Sequence, residues 1–197
     1  KIEYYLKVGD NDGINGKKTT KTAHYTFEIP TIEKLREDLK ISSESAESQI
    51  DNTLEEAKEL NKSLEDIDNK FKGKKELSWQ DQKQIEDLIK RKEALNEAIK
   101  KLQEQYDADT KKRDRFDKEI NEDLKTKMEQ LQQLMDELLD EETKKLYDEL
   151  QRLLEEQGKI DDMKKVIDQL NNKESNLEQE IERTLELFKK MKYELKL

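Results

Sequence analysis

Apolar residues recur along this chain with two periods, and the change from one to the other divides it near residue 30. Before that point Ile2, Tyr4, Leu6 and Val8 alternate with Glu3, Tyr5 and Lys7, and Ala23, Tyr25, Phe27 and Ile29 alternate with Thr22, His24, Thr26 and Glu28. Period two in β-branched and aromatic residues predicts two strands. The dipeptides Asp12-Gly13 and Asn15-Gly16 between them tolerate positive φ and predict a reversing hairpin. A two-stranded hairpin is marginal in water, so its apolar face calls for a cover.

Beyond the hairpin the period becomes helical. Pro30 stops the strand, and Thr31 can cap a helix over 32–39. Ser42, Ser43, Ser45 and Ser48 weaken helix propensity and predict a soft joint. The row Ile50, Leu54, Ala57, Leu60, Leu64, Ile67, Phe71 then ends at Gly73, and Ser78 with Asp81 forms a capping-box variant that opens the next helix. Its row runs Leu88, Leu95, Ile99, Leu102, Tyr106, Phe116, Ile120, with Lys92, Asp109 and Arg113 as polar interruptions. Successive steps of four from Ile120 to Leu124 to Met128, ahead of Leu131, Met135 and Leu138, mark a stutter. Read without a break, 79–139 is a helix of roughly 60 residues and about 90 Å. A turn at 140–143, a short helix through Leu146, Leu150 and Leu153, and a break near Gly158 follow. The last row, from Ile160 to Leu195, is interrupted by Glu174 and Thr184 and continues to the final residue.

Such rows have to be covered, since each buried Leu or Ile is worth about 1.5–3 kcal/mol. The fold class expected is mainly α: long antiparallel coiled-coil helices, as a hairpin or three-helix bundle, with a short N-terminal β-hairpin. The divisions are 1–30 for the hairpin, the end of an upstream β-domain or a flap; 31–76 for a first helical segment; 77–140 for the long helix; and 141–197 for returning helices. A parallel homo-oligomer with the breaks as kinks is the rival. The packing residues, which serve contact with self or other proteins, are Leu88, Leu95, Ile99, Leu102, Leu131, Leu138, Ile167, Leu177, Ile181 and Phe188. Trp79 is expected to cover a helix junction and is a candidate partner contact.

Composition narrows the functions. Only 31% of residues are hydrophobic, 45% are charged and the net charge is −10, values that fit a coiled coil better than a thick globular core. An acidic chain argues against nucleic acid, whose phosphates need a surplus of Lys and Arg on one face. No apolar run is long enough to cross a bilayer, so a membrane anchor is expected only upstream. The start at Lys1 without Met is read as a fragment or processed product of a longer protein. Without cysteine there is no disulfide scaffold and no thiolate zinc site.

Candidate chemistry is sparse. Asp10, Asp12 and Asn15 offer oxygens suited to calcium, but Ile14 and Asn15 stand where an EF-hand needs a ligand and a glycine, so a plain turn is favoured. His24 is the sole histidine and has no Cys or second His to share a metal. Carboxylates are abundant, but general acid–base work needs one desolvated in a cleft. No cofactor and no enzymatic activity are expected.

Several strings resemble a Bacteroidetes family of large membrane-anchored envelope proteins described only as a domain of unknown function. They are DNDGINGKK at 10–18, IPTIEKLRED at 29–38, LSWQDQKQIEDL at 77–88, LMDELLDEETKKLYDELQRLLEE at 134–156 and ERTLELFKKMKYE at 182–194. The resemblance spans nearly the whole chain and implies N-terminal transmembrane helices and a β-domain upstream, with the charged helices in the periplasm. The expected function is a non-enzymatic structural or scaffolding segment of the cell envelope. Alternatives are a calcium- or ligand-sensing β-module with a helical transmission arm, separable by calcium titration, and a cytoplasmic coiled-coil organiser, separable by fractionation.

Overall fold

The computed structural model describes residues 1–11, 13–14, 16–28, 31–116, 122–156 and 159–194, with backbone alone at 32, 35 and 114–116. Asp12, Asn15, Ile29, Pro30, Ile120, Gly158 and Leu195, on which parts of the sequence reading rest, lie outside the described residues. Four short strands precede five helices: β1 (Ile2–Tyr4), β2 (Lys7–Gly9), β3 (Thr19–Lys21), β4 (Tyr25–Phe27), α1 (Ile32–Phe71), α2 (Trp79–Phe116), α3 (Glu122–Glu137), α4 (Glu141–Glu155) and α5 (Ile160–Glu194). The chain is mainly helical, with a short N-terminal β-region. Its contacts separate two compact units, Lys1–Asp38 and Leu39–Leu197.

In the first unit β1 pairs antiparallel with β4, Ile2 opposite Phe27, and β2 with β3, Lys7 opposite Lys21. Between the two ladders Tyr5 and Leu6 stand opposite three residues, Thr22 to His24, so the hairpin carries a bulge where two strands of unbroken alternation were expected. Thr22 holds it: its N–H donates to Leu6 O at 3.0 Å, and its Oγ1 accepts from Leu6 N–H at 3.1 Å. The rings of Tyr4 and Tyr25 stack with centroids 5.6 Å apart, and those of Tyr5 and His24 at 5.0 Å. At the loop end Asp10 N–H donates to Lys18 O and Asp10 Oδ1 accepts from Lys18 N–H at 2.9 Å.

In the second unit the side chains fix the sense of each helix. Ser42 hydrogen-bonds Asp109, Gln49 bonds Gln105 and Lys70 bonds Gln84, so numbers fall along α2 as they rise along α1. Glu47 meets Lys192 at 2.7 Å and Asn61 meets Glu178 at 3.0 Å, which sets α5 against α1 in the same reversed way. Gln103 donates to Met135 O at 2.6 Å and Tyr106 to Met128 O at 3.2 Å. Residues 103 and 135 would lie about 48 Å apart in a straight helix, so the single rod expected over 79–139 does not form. It is replaced by α2 and α3, running back beside one another.

Helices α3 and α4 succeed one another along α5, to which Lys127 and Asp140 are tied by Glu194 and Lys173. They make one broken arm, so four arms surround the core where two or three were expected. Ile50 and Thr53 from α1, Ile99 and Leu102 from α2, Met135 and Leu138 at the end of α3, and Ile181 and Thr184 from α5 line a common void of about 10 Å³.

Local chemistry explains most helix ends. Gly73 takes φ +88°, where a Cβ is penalised, and Lys74 N–H returns to Phe71 O at 3.1 Å to finish α1. Ser78 Oγ accepts from Asp81 N–H at 3.3 Å, and the Asp81 carboxylate accepts from Ser78 N–H at 2.9 Å, a reciprocal capping box. Asp140 caps α4 by accepting from Glu142 and Thr143 N–H. The soft joint expected at Ser42 to Ser48 is absent, for α1 is continuous there. Ser43 is buried, and Ser42 is engaged by Asp109 and Gln105, so tertiary contacts outweigh the weak propensity.

Candidate functional site

The packing residues read from the sequence fall in one place. Leu88, Leu95, Ile99, Leu102, Leu131, Leu138, Ile167, Leu177, Ile181 and Phe188 are all buried within the helical unit, so the chain's own arms occupy the rows that a partner would otherwise cover. Trp79 departs from expectation. It stands 70% exposed at the start of α2, with Lys83 Nζ 5.9 Å from its ring, and covers no junction. Its place in the capping turn explains this, because the first turn of α2 buries Asp81 and turns Trp79 outward.

Beneath the α3–α4 break the apolar core gives way to a polar layer. Lys92 of α2 and Glu174 of α5 are 5% and 1% exposed. Lys92 Nζ lies 2.8 Å from Glu174 Oε1 and donates to Oε2 at 3.1 Å. The closer oxygen is paired by charge but has no well-directed hydrogen bond. Tyr147 of α4 completes the layer, its ring centroid 5.8 Å from the ammonium. Burial, reinforced by the charge and hydrogen-bonding of the neighbouring Glu174 carboxylate, holds the Tyr147 hydroxyl well above the ordinary phenol range, so it is protonated at any physiological pH. Its oxygen lacks a well-directed hydrogen bond. Both members of the ion pair were legible only as interruptions of their rows; their pairing is tertiary.

Above the layer the break opens a groove of about 1030 Å³ between α2 and α5. Lys173 spans its rim, 2.9 Å from Asp140 and 2.6 Å from Glu142. Burial would raise the Asp140 carboxyl, but Lys173 and the amide of Glu142 outweigh it and bring its pKa to about 2. Glu180, on the same wall, is shifted the other way, by burial and by the negative charge of Glu137. Both acids and lysines line the groove, so it is of mixed charge.

The β-ribbon is the other unpaired surface. Ile2, Tyr4, Tyr25 and Phe27 on the outer ladder, with Leu6 and Val8, are each about half exposed or more. His24 lies flat on Tyr5 and Asp10 is committed to its turn through Lys18. Among the described residues no group of three or more His, Cys, Asp or Glu is placed to hold a metal ion. No described helix is long and apolar enough to cross a membrane. Comparison with family models, with curated proteins and with solved structures finds no match to the chain.

Proposed function

We propose that the chain is a non-enzymatic scaffolding segment of a bacterial cell-envelope protein. In this reading the four arms form an antiparallel coiled-coil bundle that acts as a spacer of fixed length, and the β-ribbon is its junction to neighbouring β-structure. The observation that carries it is the division of apolar surface: the long helical rows are buried inside one chain, whereas the aromatic row Tyr4, Tyr25, Phe27 remains uncovered. An apolar row on a two-stranded ribbon is a ready template for association. The resemblance to membrane-anchored envelope proteins supports the location.

The test is recovery of the intact protein from envelope membranes, compared with a variant carrying Tyr4→Ser, Tyr25→Ser and Phe27→Ser. The wild type should co-purify with an envelope partner, or with β-structure of its own polypeptide protected from protease. The variant should lose that association at unchanged helical circular dichroism. A wild type recovered as a soluble monomer without a partner overturns the reading.

A further inference from the structure

Across the core, the buried rows of α2 and α5 are nearly interchangeable. Lys92 and Glu174 meet at a separation of 82 residues. At that same offset Ile85 stands level with Ile167, Leu88 with Leu170, Leu95 with Leu177 and Ile99 with Ile181, all of them buried. Leu and Ile repeated against Leu and Ile discriminate poorly between one heptad register and the next. A slide of seven residues, about 10 Å, keeps Leu88 or Leu95 against a leucine. The same slide forces Lys92 against Ile167 or Ile181, and Glu174 against Ile85 or Ile99, leaving two buried charges without counter-ions.

We propose that the Lys92–Glu174 pair is a register lock, which selects one alignment of α2 and α5 and with it the place of the α3–α4 break. Two observations separate this role from simple stabilisation. The pair is imperfectly satisfied, since neither Glu174 Oε1 nor the adjacent Tyr147 Oη has a well-directed hydrogen bond although Oε1 lies 2.8 Å from the ammonium and Tyr147 lies beside the carboxylate, and a buried pair of that kind gains little over well-packed apolar residues. It also spans α2 and α5 directly and touches the α4 ring, so one contact fixes three arms at once.

The chain contains no cysteine, so Ala94→Cys and Lys189→Cys, both at exposed positions, allow spin labels on α2 and α5 to report the alignment. Distances are measured by double electron–electron resonance in the full chain, in the charge-reversed K92E/E174K chain and in the apolar K92L/E174L chain. The wild-type and charge-reversed proteins should each give one narrow distance. The apolar chain should keep or raise its denaturation midpoint, yet add a second distance displaced by up to about 10 Å, or a higher oligomer. A single native distance in the apolar chain overturns the proposal. So does unfolding of the apolar chain while the charge-reversed one folds, because the pair would then supply stability instead of register. Loss of the single distance on charge reversal overturns it as well.

Discussion

Asp81 shows how much one side chain does at the α1–α2 turn. It is 4% exposed, accepts from Ser78 N–H, and meets Lys74 Nζ at 2.6 Å. The Lys74 hydrogen bond, opposed by burial and helped by Ser78, brings its pKa to about 2. The unfolded value is about 3.9, so the folded state binds the proton less tightly. Its contribution is therefore complete above about pH 4 and is lost as pH falls toward 2. Asp81→Asn should lower stability at neutral pH by about 1–2 kcal/mol and flatten the acid limb of the stability profile, measured by urea denaturation across that range. The cap was legible because Ser78 and Asp81 are three apart on one turn. Lys74 was not, because it reaches Asp81 only after Gly73 has reversed the chain. Lys92 and Glu174 follow the same rule: a sequence shows that a row is interrupted, but which interruptions meet depends on how the arms fold back.

At the scale of elements, the helical rows were readable and the reversals only partly so. Gly73 marks the end of α1 through a left-handed φ that other residues adopt at a cost. A Cβ there meets nothing within 4 Å, so Gly73→Ala isolates the backbone term. It should destabilise the protein by about 1 kcal/mol without changing the helical spectrum at saturation, read from the thermal midpoint. The reversal between α2 and α3 has no such marker. Neither glycine nor proline occurs between Gly73 and Gly158, and the apolar steps of three and four continue through the region, so period alone reads one rod. The hairpin erred in the opposite direction: alternation located both outer strands, but the extra residue among Thr22 to His24 shifts the inner ladder by one. That bulge rests on Thr22 binding Leu6 with both its amide and its hydroxyl, a cross-strand feature invisible to period two. The serines of α1 show tertiary contact overriding propensity, as Ser42 is held from α2.

For the helical unit as a whole, the decisive fact is that one layer draws on all four arms. Ile99 and Ile181 are essentially fully buried and share the void with Ile50 and Met135. Truncating either leaves a cavity in a layer that cannot close from one side, because the opposing walls belong to helices fixed by ion pairs elsewhere along their length. Ile99→Ala and Ile181→Ala should each cost about 2–5 kcal/mol, whereas the double variant should deviate from their sum by about 0.5 kcal/mol or more, since the two cavities merge. If the four arms are one cooperative body, hydrogen exchange in Ile99→Ala should accelerate in the core of α1 and α5 as much as in α2, although the substitution lies in α2 alone. Faster exchange confined to α2 and α3 would mean that these two helices form a hairpin able to open by itself. The layer shared by all four arms argues against that arrangement.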